Sequence, residues 1–304
     1  MSKLLLILTP YISFESFKSP LFTERNNALV TDMPLGAFSI SAYARKYAKA
    51  DVRILDINPK LYMVEGSNLN SFDDIYLSEL SKYIDEGWIP DAIGISALFT
   101  AAFRNSVACA EICQKLFPNS MIFSGGGVPT SLWKHILTNY DCFDALSYGE
   151  GERPIADYLK ADNKTDFLEK HNSWITSKKI KENKDFVPQH DWIFDLDEIP
   201  RYDYDLINPN DYAVAPIAST YVAHNEECLP IFNMATSRGC PYKCTFCASH
   251  DVHGYQMRYH SLERMKEDII WLQENLGMQR IAIQDDHFMG DHKRAKEIIK
   301  FIKE

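Results

Sequence analysis

Ile231-Phe232-Asn233-Met234-Ala235-Thr236-Ser237-Arg238-Gly239-Cys240-Pro241-Tyr242-Lys243-Cys244-Thr245-Phe246-Cys247 runs from a short apolar segment into a loop with cysteines at C-x3-C-x2-C spacing. A helical pattern begins shortly afterwards, at Ser261. Cysteine thiolates are soft ligands that suit iron–sulfur clusters and zinc. Cys240, Cys244 and Cys247 on one tight loop can hold three corners of a cubane and leave the fourth iron open to chemistry. The same cysteines with His250 or His253 could form a structural Cys3His zinc site. Zinc sites usually present their cysteines as separated pairs, and a strand–loop–helix setting is foreign to a small finger. A third reading, buried and unligated cysteines, leaves unexplained why one loop needs three.

The whole chain bounds the answer. Its 304 residues suffice for about two domains, and 46% hydrophobic residues can supply real cores. A formal net charge of −10 argues against a nucleic-acid surface. Seven cysteines, three of them on one loop, do not read as a secreted disulfide framework. The start, Met1-Ser2-Lys3-Leu4-Leu5-Leu6-Ile7-Leu8, superficially suggests a signal peptide, but its apolar run stops at Pro10 without a small-residue cleavage site, so a buried first strand is expected. No run approaches the roughly 18 apolar residues of a membrane span. The expected location is the cytoplasm, without membrane or nucleic-acid partners.

Across residues 1–160 strands alternate with helices. Strands are expected at Leu4–Leu8, Val52–Asp56, Ala92–Ser96, Met121–Ser124 and Ala145–Tyr148. Helices are expected at Leu35–Ala48, Phe72–Ile84 and Ala101–Leu116, and from Thr130 and Pro154. This alternation implies a parallel sheet covered on both faces, with ligands beyond the carboxyl ends of the strands. Ser96-Ala97-Leu98 ends the third strand and Gly125-Gly126-Gly127 the fourth. Pro34-Leu35-Gly36 falls in the loop after the first strand, and Gly149-Glu150-Gly151-Glu152 follows the fifth. Each also has an ordinary reading: a strand-to-helix turn for the glycine run, an acidic helix start for the glutamates. Cys109 and Cys113, four apart on a helix, read as core-facing small hydrophobes, and Cys142 and Cys228 show no telling spacing.

The cysteine stretch, with Phe246 before its last cysteine, resembles the cluster loop of the radical S-adenosylmethionine (SAM) enzymes. The resemblance implies a 4Fe–4S cluster on Cys240, Cys244 and Cys247 whose open iron chelates SAM, with reductive cleavage to a 5′-deoxyadenosyl radical and Phe246 lying near SAM. Ser96 and Leu98 with Gly125 and Gly126 resemble the S-x-L and G-G elements that line the nucleotide-tail cleft of cobalamin-binding domains. Pro34-Leu35-Gly36 and Gly149-Glu150-Gly151-Glu152 resemble stretches of the cobalamin-binding branch of the radical SAM family and are cofactor-site candidates on that ground. Between Thr9 and Phe17 there is no D-x-H-x-x-G, so no histidine from that loop is expected on the lower cobalt face.

Residues 161–230 change character. They are polar and lysine-rich up to Lys184, then acidic and aromatic, with prolines at 188, 200, 209 and 216 that forbid a long helix. They read as a connector without chemistry, packed on its neighbours or simply solvated. In residues 231–304, Ile231–Ala235 reads as a strand, Ser261 to about Asn275 as a helix ended by Gly277, and Ile281–Asp285 as a second strand. Asp285-Asp286-His287-Phe288 resembles a D-D-x-F stretch of the same branch, which makes Asp285 and Asp286 candidates for the SAM amino group; capping the next helix is the plainer reading. Arg258 reads either as a carboxylate partner or as solvated.

The expected architecture is α/β: a Rossmann-like cobalamin-binding domain (1–160), a connector (161–230) and the first βα units of a radical SAM partial barrel (231–304). The family's barrel has six such units and two are visible here, so competence of this chain alone is an open point. The resemblance implies methylation of an unactivated carbon or a carbon-skeleton rearrangement, acting on a small-molecule or natural-product substrate, with a flavodoxin or ferredoxin as electron donor. The alternatives are an RNA methylthiotransferase, for which the further cluster cysteines lack suitable spacing, and a non-catalytic cobalamin or cluster sensor.

Overall fold

The computed structural model describes residues 1–19, 32–63, 69–214 and 229–303. Strand β1 (Lys3–Leu8) is apolar on both faces. Leu5 and Ile7 enter one core, while Leu4, Leu6 and Leu8 enter another, as the alternation of side chains along a strand requires. Such a strand must be covered on both sides, and it pairs in parallel with β2 (Asp51–Asp56) and β3 (Ala92–Ser96). Strands β4 (Met121–Gly125) and β5 (Ala145–Ser147) continue the parallel sheet. The order is β2-β1-β3-β4-β5-β6, closed by the antiparallel β6 (Trp174–Ile175). Pairings of Leu8 with Asp56 and Ser96, and of Ser96 with Gly125, bring the carboxyl ends onto one edge.

Helices α1 (Leu35–Ala48) and α5 (Glu152–Lys160) cover one face through Ala37, Ala44, Ile155 and Leu159. Helices α2 (Asp73–Asp85), α3 (Phe103–Leu116) and α4 (Gly127–Asn139) cover the other. Cys109 and Cys113 are buried on α3, as their spacing suggests. Helix α4 begins at Gly127 rather than Thr130. Gly126, at φ +106°, makes the turn inside the glycine run and lets the helix start at once.

The expected boundary at residue 160 falls short of the sheet. Trp174 of β6 is fully buried, edge-on to Phe123 at 5.2 Å, and its indole N–H donates to Pro154 O at 3.2 Å. Helices Lys164–Lys170 and Ser177–Glu182 flank β6, capped by Asn163 and Thr176. Their lysine-rich outer faces obscure these elements in the sequence.

A third core joins the halves. Connector residues Ile193, Leu196, Ile199, Tyr202, Tyr204 and Tyr212 are buried with Phe38 and Tyr43 of α1 and with Phe232, Met265 and Leu272. A solvated connector is therefore not what forms. Its buried tyrosines find acceptors, Tyr204 donating to Asn233 O at 2.6 Å and Tyr212 to Asp56 Oδ2 at 2.8 Å. Pro216 and Cys228 lie outside the described residues.

Beyond it, strand Phe232–Met234 pairs in parallel with Ile281–Ile283 across helix Leu262–Leu276. Ser261 Oγ caps that helix on Arg264 N, and Gly277 ends it at φ +64°. Helix His292–Lys303 follows. Among the described residues, no helix is long and apolar enough to cross a membrane.

Trp174→Ala would leave a cavity between β6, Phe123 and Tyr158, costing about 3–5 kcal/mol. Denaturant unfolding should show a clearly lowered midpoint; a loss below about 1 kcal/mol would mean that β6 is peripheral.

Candidate functional site

The cysteine loop is clasped at its root. Ser237–Arg238 pairs antiparallel with Arg258–Tyr259, and Cys240 N donates to Gly254 O at 3.3 Å. Gly239 sits at φ +88°, where a Cβ would collide with the Gln256 carbonyl, so only glycine fits. The Asp285 carboxylate accepts from the backbone and hydroxyl of both Thr236 and Ser237, and Asp286 accepts from Gly239 N at 3.2 Å. Arg294 donates to Thr236 O at 2.8 Å and to His260 O at 3.0 Å. Asp285 is thus spent in shaping the loop, while Asp286 is exposed. Neither serves as the side-chain cap of the following helix, where Asp291 Oδ1 takes the Lys293 and Arg294 N–H groups.

All three loop thiols are free, with Cys244 exposed and Cys240 and Cys247 half-buried. Cys244 and Cys247 line a cavity of about 390 Å³ with Lys243, Phe246, His250 and Ser131, the last contributed by α4. Phe246 is 90% exposed, open to a ligand at this cavity. Three unpaired thiols on one closed loop, two of them lining a cavity, fit a cluster. The zinc reading fares worse: His253 Nδ1 lies 2.7 Å from Glu150 Oε1, and His250 stacks on Tyr255 at 4.9 Å.

The turn after β5 meets this loop through buried charge. Arg238 reaches Glu152 Oε1 at 2.6 Å, Ser39 Oγ at 2.9 Å and Glu150 Oε2 at 3.2 Å. Arg258 makes a two-pronged contact with Glu150, at 2.5 and 3.0 Å, and donates to Ile193 O at 2.7 Å. Glu150, Glu152, Arg238 and Arg258 are all buried. The carboxylates of the cofactor-site candidates Glu150 and Glu152 are thus taken up in neutralising two arginines that would otherwise be buried unpaired. Gly149 sits at φ +75°, where a Cβ would also stand 2.5 Å from His190 Nδ1, so glycine is required there; at Gly151 a Cβ would press on the flexible end of Ile155 at 2.9 Å.

The carboxyl edge of the sheet is tightly built. Gly126 lies where a Cβ would stand 3.1 Å from Ala97 O, so the loops after β3 and β4 touch. Thr130 Oγ1 donates to Gly126 O at 2.8 Å and accepts from Gly149 N at 3.1 Å, tying in the turn after β5. Ser96 is half-buried and Leu98 is 51% exposed. Ser147 Oγ is buried without a hydrogen-bond partner, and a Cβ on Gly125 would stand 3.6 Å from its Cβ. An orphaned hydroxyl beside glycine backbone fits a ligand with polar groups. Gly36 faces open space at the start of α1. Buried Arg238 and Thr130, and the half-buried stacked pair His190–Trp192, 4.3 Å apart, escape sequence reading because nothing local marks their partners.

Burial alone would push the Glu150 carboxyl up; the Arg238 charge and hydrogen bonds from His253 and Arg258 reverse this and hold it well below the usual carboxylate range. Burial, with Arg238 and Arg264 nearby, lowers His260 to about 4 despite Asp197.

Residues 28–159 match the family described as B12 binding domain. An uncharacterized methyltransferase of Pyrococcus horikoshii, PH0819, is 29% identical over 276 residues, covering 90% of this chain and 53% of that protein. Cytidylyl-2-hydroxyethylphosphonate methyltransferase of Streptomyces wedmorensis is 25% identical over 297 residues, covering 89% of this chain and 54% of its own. Cobalamin-dependent radical SAM methyltransferase TokK of Streptomyces tokunonensis is 22% identical over 273 residues, covering 87% of this chain and 36% of its own. The structure of the radical SAM methyltransferase TsrM from Kitasatospora setae superposes with a TM-score of 0.63 at 12% identity, over 99% of this chain and 51% of that one. The chain is thus a relative of cobalamin-binding radical SAM proteins and spans about half the length of the first two curated relatives.

Glu150→Ala would leave the buried Arg258 guanidinium without a carboxylate and take one of two from Arg238, and should cost about 3–5 kcal/mol of stability; a loss under 1 kcal/mol would remove the junction from its structural role. The pH dependence has a definite sign. His260 has a folded-state value of about 4 against an ordinary 6.5, so the unfolded chain binds more protons between these limits. Stability should fall by about 3 kcal/mol as pH drops from 6.5 to 4. Glu150, also depressed, adds a loss below the ordinary carboxylate value of 4.5. Unfolding midpoints across this range check both, and His260→Gln should flatten the upper segment.

Proposed function

We propose that this chain forms the cofactor-binding part of a cobalamin-dependent radical SAM methyltransferase. The observation that carries this reading is the shared cavity: Ser131 of α4, which springs from the glycine turn at the sheet edge, lines the same space as Cys244 and Cys247. Cys240, Cys244 and Cys247 would hold a 4Fe–4S cluster through three thiolates, leaving one iron for SAM. When bound, the cluster would supply the electron that cleaves SAM, and cobalamin would carry the transferred methyl group.

The remaining roles belong to the chain's own residues. Phe246 offers an exposed ring beside the cluster loop for SAM. Exposed Asp286, held to Gly239 through one oxygen, is the candidate for the SAM amino group, whereas Asp285 shapes the loop. Ser96, Leu98, Gly125 and Gly126 would line the cobalamin tail cleft, with Ser147 Oγ as a further hydrogen-bonding group. Pro34, Leu35 and Gly36 open α1, with Gly36 free of neighbours on its outer side. The names of the relatives support methylation over skeletal rearrangement and a small-molecule substrate over RNA. A flavodoxin or ferredoxin is the proposed source of the electron.

Anaerobic reconstitution should give brown protein with near-equal iron and sulfide, and replacing Cys240, Cys244 and Cys247 together with Ala should abolish it. The same protein should bind hydroxocobalamin, and its Co(II) form should show no nitrogen splitting on the lower face. Stoichiometric zinc without sulfide, or no cobalamin binding, would refute the assignment.

A further inference from the structure

Glu150 stands where two arginines and a histidine of the cluster segment converge. Arg238 Nη1 lies 3.2 Å away, Arg258 Nη2 2.5 Å and His253 Nδ1 2.7 Å. All three partners come from residues 238–258, which include the cysteines, whereas Glu150 comes from the turn after β5. Its own turn has no slack. The Gly149 N–H donates to Thr130 Oγ1 at 3.1 Å, and that hydroxyl donates to Gly126 O at 2.8 Å. Gly149, at φ +75°, has His190 Nδ1 2.5 Å from where a Cβ would stand, and the end of Ile155 packs against Gly151. A continuous line of buried polar contacts therefore runs from Arg238, two residues before Cys240, through Glu150 and Gly149 to Thr130 and Gly126. Buried charges of this kind cannot move apart without stranding each other in a medium of low dielectric.

We propose that Glu150 is a positioning residue that couples the two cofactor sites, so that filling the cysteine loop and filling the sheet edge each favour the other. The inference rests on the function proposed above. Three metal–sulfur bonds would fix Cys240 and hence Arg238. Through Glu150 they would hold the Gly149 and Gly126 turns in the arrangement that receives the cobalamin tail. The ordering of those turns is then already met when cobalamin arrives, and the gain is reciprocal.

The experiment is anaerobic titration of the full chain with hydroxocobalamin, followed by its absorption spectrum, before and after cluster reconstitution. The cluster should tighten cobalamin binding by about 5- to 10-fold. Glu150→Gln, which keeps the shape but not the charge, should bring the ratio to within about twofold, and Glu150→Asp should recover part of it. Cluster iron and sulfide content, measured on each variant, separates loss of coupling from loss of the cluster. Should Glu150→Gln fail to fold, Arg238→Lys is read in the same way, because it keeps the charge but loses the fork that spans Glu150 and Glu152. Full coupling in a folded, cluster-bearing variant overturns the proposal. So does a wild-type chain that binds both cofactors with no coupling, although the proposed function then stands. A wild-type chain that binds neither overturns that function and the coupling with it.

Discussion

Two guanidinium groups buried against one carboxylate hold this molecule together. Arg238 and Arg258 are 8% and 4% exposed, and Glu150 is 4% exposed. Desolvating charges costs several kcal/mol per ion, and the cost is recovered only where the geometry is good and the remaining donors are satisfied. Here they are satisfied. Arg258 also donates to Ile193 O and His253 O, and Arg238 takes Ser39 and Glu152 as further partners. An apolar interface could supply similar stability, but it would not specify one register. Charges that match only when Arg238 meets the turn after β5 specify where the cysteine loop sits.

That specification matters because the loop has little core of its own. Residues 241–246 are exposed, and only its root is buried. Asp285, Asp286 and Arg294 grip the root from strand Ile281–Ile283 and helix His292–Lys303, while Glu150 and Glu152 grip it from the sheet. The thiols are left free, and those of Cys244 and Cys247 line the cavity. The carboxylates of Glu150, Glu152 and Asp285, which sequence reasoning offers to ligands, thus do the positioning, while Cys244, Asp286 and Phe246 stay exposed.

Legibility in the sequence follows the range of the forces involved. Helix α1 is readable to its terminal residues, Leu35 and Ala48, and β3 likewise, because periodicity and burial are local signals. The cysteine loop is readable from spacing alone. Strand β6 is not, being two residues long, with the buried Trp174 as its only strong mark in a lysine-rich run. The connector's tyrosines are visible, but their burial depends on α1 and helix Leu262–Leu276, more than fifty residues away for most of them. Glu150 and Glu152 read as a ligand loop because their partners, Arg238 and Arg258, lie 88 and 108 positions from Glu150 in the sequence.

The connector completes the argument. Ile193 and Ile199 lend carbonyls to Arg258 and Arg264, and Tyr204 donates to Asn233 O in the strand that leads into the cysteines. The Trp192 ring packs so closely on Gly254 that a Cβ there would stand 2.7 Å from it, and its indole N–H donates to Val252 O at 2.8 Å. Gly254 in turn accepts from Cys240 N. The segment therefore acts as the wall between the sheet and the cysteine loop, with apolar side chains setting the spacing and backbone carbonyls absorbing the buried arginine protons. A solvated linker could do neither, since water would compete for those donors and weaken every charge pair that fixes the loop.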